Sequence, residues 1–555
     1  MIDELLSLAS DTVKQARARG ADAAEALIVS GGGTQVEIRD GKIEKLEQSE
    51  AREIGIRVFV GKSSAMISAS ALNAETIARI IDNAIAVARL APPDPFAGIA
   101  DPELLATSIP FLDLVSARLP SAAELETMAR TAEASALAVT GVTKSNGGSA
   151  SASDRAIVMA ASNGFVHGYR KTGVGVSASV IAGDGTAMER DYDFTSAIHF
   201  EDLRDAAEVG REAGNRAMRR LNPRKVKSQQ VPVFFDRRVA SSLVGHLLGA
   251  INGAAIARGT SFLKDRLGQP VFSTSVTITE DPFIRRGLAS RPFDGEGLSG
   301  SQRNLIDSGV LTGWLLDLRS ARQLGLKPHG QASRGLNAPP SPTSSNVYLQ
   351  AGSTTPKELL SQVSQGLYVT ELIGSSVNMV TGDYSRGASG FWIDNGELTH
   401  PVSEITIAGN LKDMFLHLTA ANDLTFRYGT NAPTVRVPAG NRIAGTQRGT
   451  AFAELAWRSA GFGEFGAEVR HARALMANDT NTEAAAPYTL LGLRWSHRLP
   501  VPALVGGWSA EWLLRVDNAL DRRYAGSVIV NESNGRFYET GAPRAVMLSL
   551  RLVGP

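Results

Sequence analysis

A mixed fold of α-helices and mostly antiparallel β-strands is predicted by three observations. Amphipathic helical stretches open and punctuate the chain, strand-like runs follow one another across glycine turns, and everything beyond Pro438 alternates with a period of two. At about 100–200 residues per domain, the 555 residues allow for three domains, and 43% apolar residues is ordinary for a chain that buries a core.

Residues 2–19 place Leu5, Leu6, Ala9, Val13 and Ala16 near helical spacing, with Gly20 as the stop. Four strands are expected next: Ala26–Val29, Gln35–Arg39, Lys42–Glu47 and Ile54–Val60, with Asp40-Gly41 as a type I′ turn. A helix over Ala74–Leu90 is ended by Pro92-Pro93. A helix over 122–138 then leads to strands at Val142–Ser145 and Ala156–Ala160 around a Gly147-Gly148 turn. Val174–Ala182 alternates like a half-buried strand, Arg190–Phe194 is its expected partner, and an amphipathic helix covers 201–220. The polar, proline-marked run Asn222-Pro223-Arg224-Lys225 reads as a domain boundary.

Beyond it, Val231–Phe235 reads as a buried strand, Arg237–Ala257 as a helix and Gly259–Leu263 as a turn. Short strands are expected at Val276–Pro282, Arg291–Gly297, Leu305–Leu311 and around Trp314. From Thr370 to Met414, Gly382, Gly387 and Gly390 flank a Tyr384-Ser385-Arg386 tip. Asp394-Asn395-Gly396 reads as a tight hairpin, and Glu404–Ala408 as the returning strand.

Composition narrows the chemistry. Lys+Arg 57 against Asp+Glu 56 gives no basic surplus that calls for nucleic acid. No cysteine is present, so disulfides, thiolate metal ligands and thiol nucleophiles are excluded. The opening Met1-Ile2-Asp3-Glu4 does not read as a secretory signal, and no apolar run is long enough for a spanning helix. A cytoplasmic protein without membrane association is expected.

The words TGDYSRGASGFWIDNGE and HPVSEITIAGNLKDM are very similar to the C-terminal signature of the TldD/PmbA family, in its PmbA (TldE) branch. SSLVGHLLGAINGAAIARGTSFLKDRLG, LASRPFDGEG and LTGWLLDLRSARQLGLKP belong to the same resemblance, which runs from the N-terminus to about Val437. It implies a two-domain α+β architecture: an N-terminal α/β domain over 1–222 and a mostly antiparallel domain over 223–437. Residues 438–555 form a third, β-strand segment. There, PAGNRIAGTQRGTAFAELAWR and LRVDNALDRRYAGSVIVNESNGRFYETGAPRAVMLSLRL resemble the end of a TonB-dependent receptor, an incomplete barrel-like sheet. Such barrels usually end on an aromatic residue, whereas this chain ends Leu-Val-Gly-Pro.

In the active TldD branch the resemblance implies a zinc-binding His-Glu-x-x-x-His helix completed by a cysteine. Aligned ungapped from Gly259-Thr260-Ser261, those positions fall on Val244, Gly245 and Gly249. No catalytic residue and no metal ligand is therefore assigned to this chain, and zinc is expected in a TldD-type partner subunit. His246 is read as a packed histidine. The eight histidines, at 167, 199, 246, 329, 400, 417, 471 and 497, show no metal-ligand spacing. Asp294, Glu296, Asp383 and Glu404 are read as turn-forming carboxylates ahead of an acid/base pair.

The resemblance thus implies a non-catalytic subunit of a TldD/TldE-type metallopeptidase, handling small or unfolded peptides such as peptide-antibiotic precursors and antitoxins. Its candidate peptide-binding or chamber residues are Gly382, Asp383, Tyr384, Ser385, Arg386, Gly387 and His246. Two alternatives stand beside it: an autonomous hydrolase built on His246 and carboxylates, and an outer-membrane receptor fragment.

Overall fold

The structure is a computed structural model that describes residues 2–227, 229–439, 450–476, 484–500, 509–528 and 538–553. Two compact units form: residues 1–407 with 411–439, and residues 408–410 with 440–555.

The first unit begins with α1 (Ile2–Ala18), β1 (Ala23–Arg39), β2 (Lys42–Val60), β3 (Ser63–Ala69) and α2 (Ala74–Leu90). It continues with α3 (Ala122–Leu137), β4 (Val142–Ala161), β5 (Val166–Ala182), β6 (Glu189–Ala197) and α4 (Ala206–Arg219). The six strands make one antiparallel sheet in the order β3-β2-β1-β4-β5-β6. Alternation decides its faces. Ile28, Ile54, Ile56 and Val158 pack with Leu5, Val13, Ile81 and Ile85 of α1 and α2. Val36, Val176 and Val180 pack with Leu125, Ala129 and Val209 of α3 and α4. Local chemistry starts the helices: Asn73 caps α2, and Ser121 with Glu124 forms a capping box on α3.

Where four strands were expected between Ala26 and Val60, two long ones form, joined by Asp40 (φ 50°) and Gly41 (φ 69°). The run Gly31-Gly32-Gly33 lies inside β1, because a Cβ on Gly31 would stand 2.0 Å from the carbonyl oxygen of Asp154 on β4. Gly147-Gly148 likewise forms an irregularity within the continuous β4, not a turn between two strands.

The rest of this unit holds a two-stranded sheet, Ala332–Ser333 with Ser341–Pro342, and two larger ones. One runs Glu397–Asn410, Asp383–Asp394, Gln365–Val377, β7 (Val233–Phe235), Val435–Val437, Thr419–Ala420. The other runs Val310–Leu311, Arg303–Asp307, Ile278–Asp281, Asn346–Leu349, Thr430–Asn431. Helix α5 (Arg237–Ala250) enters a core drawn from both: Leu243, Val244 and Leu247 pack with Val369 and Tyr384 of one and Ile278 and Leu305 of the other.

The helix expected over Arg237–Ala257 is broken, since Asn252 caps a separate turn over Gly253–Ala257. No strand forms over Arg291–Gly297, where the Asp294 carboxylate gathers backbone N–H groups of a turn instead. Leu305–Leu311 is a hairpin closed by Ser308 (φ 47°) and Gly309 (φ 83°). Around Trp314 only an isolated bridge at Leu315 remains.

In the second unit, Thr450–Ser459, Gly463–Ala472, Tyr488–Pro500, Ser509–Asp517 and Ala545–Val553 form an antiparallel sheet in that order. The first and last of these do not pair, so no barrel closes among the described residues. Trp457, Phe465 and Trp495 make an aromatic row with 5.9 Å between successive rings, and Trp508 lies outside the described residues. No helix among the described residues is long and apolar enough to cross a membrane.

Candidate functional site

Helix α5 sets the site. Asp236 caps its start by accepting from the N–H of Arg238, and also accepts from the Tyr368 hydroxyl at 2.8 Å. The residues after it decide what the helix can hold. Val244 is 3% exposed and belongs to the core, while Gly245 and Gly249 reach the surface without side chains. A Cβ on Gly245 would meet nothing within 4 Å, and one on Gly249 would meet the Met379 methyl at 3.2 Å. Neither glycine brings a donor atom to this face. A zinc ion needs imidazole, carboxylate or thiolate ligands, so these three positions do not fit one. Among the described residues no three His, Asp or Glu side chains converge as a ligand set.

His246 stands alone on the helix and packs edge-on against Tyr384, with ring centroids 5.7 Å apart. Burial, reinforced by the Arg386 guanidinium, lowers its pKa to about 4, so the ring is neutral near pH 7. Its Nε2 is buried without a hydrogen-bond partner, and so are the Tyr384 hydroxyl and Arg386 Nε. Burial also raises the Tyr384 phenol's pKa. Three polar atoms on neighbouring side chains therefore lack partners, in a protein interior that normally satisfies nearly all of them.

The expected Tyr384-Ser385-Arg386 tip is the start of the strand Asp383–Asp394, and the turn lies earlier, over Asn378–Gly382. The Gly382 N–H donates to the Asn378 carbonyl at 2.7 Å, and the Thr381 hydroxyl donates to Asp383 at 2.6 Å. Alternation sends Tyr384 inward, where it is 1% exposed, and leaves Ser385 outside with Arg386 half-buried. Gly387 and Gly390 are strand positions. At Gly390 a Cβ would stand 1.9 Å from the Tyr368 carbonyl oxygen.

The other carboxylates have structural partners. Asp294 accepts from the N–H groups of Glu296, Leu298 and Ala332 at 2.8–3.0 Å. Glu296 accepts from that of Leu318 at 2.8 Å. Burial pushes the pKa of both upward, Glu296 further because Asp294 lies beside it. Glu404 is an exposed residue paired with Lys225 at 3.1 Å.

Two features escaped sequence reasoning. The first is an ion-pair network joining β6 to the strands and helix of the site. Asp191 takes Arg238 at 2.8 Å, and Glu371 takes Arg190 at 3.2 Å and Arg220. The second is an open groove of about 530 Å³ on the helix-free face of the first sheet, lined by Ser149, Ser151, Ser177, Ser179 and Tyr192. The Val/Ser alternation over 174–182 was its only trace in the sequence.

Comparison with known proteins adds lineage to this geometry. Residues 24–88, 116–221 and 228–445 match PmbA/TldA metallopeptidase domain 1, the central domain and the C-terminal domain respectively. The chain is 39% identical to "Metalloprotease PmbA" of Escherichia coli O157:H7 over 437 residues, covering 78% of this chain and 95% of that protein. It is 36% identical to a PmbA homolog of Haemophilus influenzae, over 76% and 91% of the two chains. The crystal structure of TldE from Thermococcus kodakarensis superposes with a TM-score of 0.69 at 18% identity, over 77% of this chain and 98% of that one, a likeness of fold.

Proposed function

The chain belongs to the PmbA/TldD metallopeptidase family, and from that premise we propose that it is the subunit that holds peptide while a TldD-type partner carries the zinc and cuts. One observation carries the reading: the helix positions to which the resemblance to the TldD branch assigns the metal ligands are Val244, Gly245 and Gly249. A side chain that is apolar and two that are absent can neither bind the ion nor take a proton from water on it. The neighbouring unpartnered atoms of His246, Tyr384 and Arg386 suit a different task, hydrogen bonding to the backbone or terminus of an extended peptide. Small or unfolded peptides, such as antibiotic precursors and antitoxins, are the substrates this reading assigns to the pair. A cytoplasmic location goes with them.

Purified alone, the chain is expected to contain no stoichiometric zinc by elemental analysis and to cleave no peptide. Chelator-sensitive cleavage should appear on mixing with a TldD-type subunit. About one zinc per chain, with peptidase activity of its own, would instead favour the autonomous hydrolase.

The peptide-holding role is tested at Arg386, because replacing Tyr384 by Ala would open a core cavity costing about 3–5 kcal/mol. Arg386→Ala should lower peptide turnover by the mixed pair roughly tenfold, the value of one charged hydrogen bond, with co-elution of the subunits unchanged. Turnover equal to wild type would leave the segment a purely structural one.

A further inference from the structure

Strand β2 is longer than its neighbour. Its residues Ile54–Val60 pair with β3, but Lys42–Glu53 have β1 on one side and, among the described residues, no strand on the other. Every residue from Lys42 to Arg52 is exposed. Such an edge offers unpaired backbone groups to another strand, and proteins commonly blunt it with charge or a bulge. Both are present here, the bulge leaving Glu44 of β2 unmatched on β1 between Ile43 and Lys45. A guard of like charges, however, repels a second strand in every register. On this edge Lys45 and Arg52 are interspersed with Glu44, Glu47 and Glu50, and the register centred on Leu46 is complementary.

We propose that this edge pairs with the same edge of a second copy of the chain, antiparallel, with the dyad at Leu46. That register sets Lys45 opposite Glu47 of the second copy, twice by symmetry. Leu46 meets itself across the dyad. Leu46 is 54% exposed and lies directly opposite the fully buried Val36 of β1, so the dyad extends an apolar row already begun. Moving the dyad one residue either way places Lys45 against Lys45 or Glu47 against Glu47, and like charges directly opposite are destabilising. Within one copy Lys45 and Glu47 already lie 2.6 Å apart, both about half exposed, and are available to a facing strand. This inference is independent of the reading of the α5 site.

The test is sedimentation equilibrium of the full chain and of the variants K45E and E47K, whose exposed positions leave the core untouched. Wild type should be a reversible dimer. Each single variant should dissociate roughly tenfold more readily, since two attractive pairs become repulsive. An equimolar mixture of the two variants should recover wild-type affinity, because each then faces the opposite charge. A role of the ion pair within one copy would not be rescued by mixing. A monomeric wild type, including one that associates only with a TldD-type subunit, would overturn the proposal. Single variants as tightly dimeric as wild type, or a mixture no tighter than its components, would do the same.

Discussion

Glu25→Gln is expected to lower stability by about 3–5 kcal/mol, the usual consequence of removing one partner from a buried ionic cluster. Glu25 of β1 is 1% exposed and lies between Arg57 of β2 at 3.5 Å and Arg334 at 3.1 Å. The Arg334 side chain is itself 1% exposed, and burial lowers its pKa, so its charge depends on the one carboxylate it touches. Its Nε and Nη2 have no hydrogen-bond partner. With a neutral amide at position 25, two guanidinium groups would remain in a nearly dry site without the carboxylate that touches both. Urea denaturation read as a midpoint shift at constant m-value measures the loss. Glu25→Met combined with Arg57→Met and Arg334→Met should recover much of it, because an apolar trio of similar volume avoids the desolvation cost. If Glu25→Gln matched wild type, the cluster would contribute nothing net to stability.

Truncation after Ala439 is expected to leave the first unit folded and make the protein markedly more soluble. That unit closes its three main sheets without residues 440–555. The sheet of the second unit presents Val546, Leu548, Leu550 and Leu552 at 54–67% exposure along a strand with no outer neighbour among the described residues. An apolar row on an open edge is a site of aggregation. Static light scattering of both chains under heating should show the full chain associating first, while the truncated chain keeps its far-ultraviolet spectrum. Loss of that spectrum on truncation would make the tail an integral part of the fold and refute its reading as a separable receptor-like segment.

Local chemistry made much of this fold legible. Asp40-Gly41 and Asn395-Gly396 adopt the positive φ values their hairpins require, and the helices expected at 2–19, 74–90 and 122–138 form within two residues of those limits. What failed was the reading of glycine as punctuation. Gly31, Gly148 and Gly390 lie inside strands because another backbone passes within a Cβ's reach, which is a tertiary fact with no local signature. The site divides the same way. That Val244, Gly245 and Gly249 carry no donor atom on their side chains is legible in the sequence, since it holds in any fold. The inward turn of Tyr384 and its edge-on contact with His246 were not, because they depend on a strand and a helix 138 residues apart in sequence meeting in one core.

The sheet order β2-β1-β4 also dictates the order of events during synthesis. Hairpin β1-β2 can close as soon as Val60 emerges, since its contacts are local. The other side of β1 must wait for β4, whose Ala161 pairs with Glu25. At about 5–20 residues per second, translating the chain between Val60 and Ala161 takes on the order of 5–20 s. For that interval β1 presents Leu27, Ile28 and Val29 on an unpaired flank, so the nascent chain is most in need of a chaperone before β4 has left the ribosome.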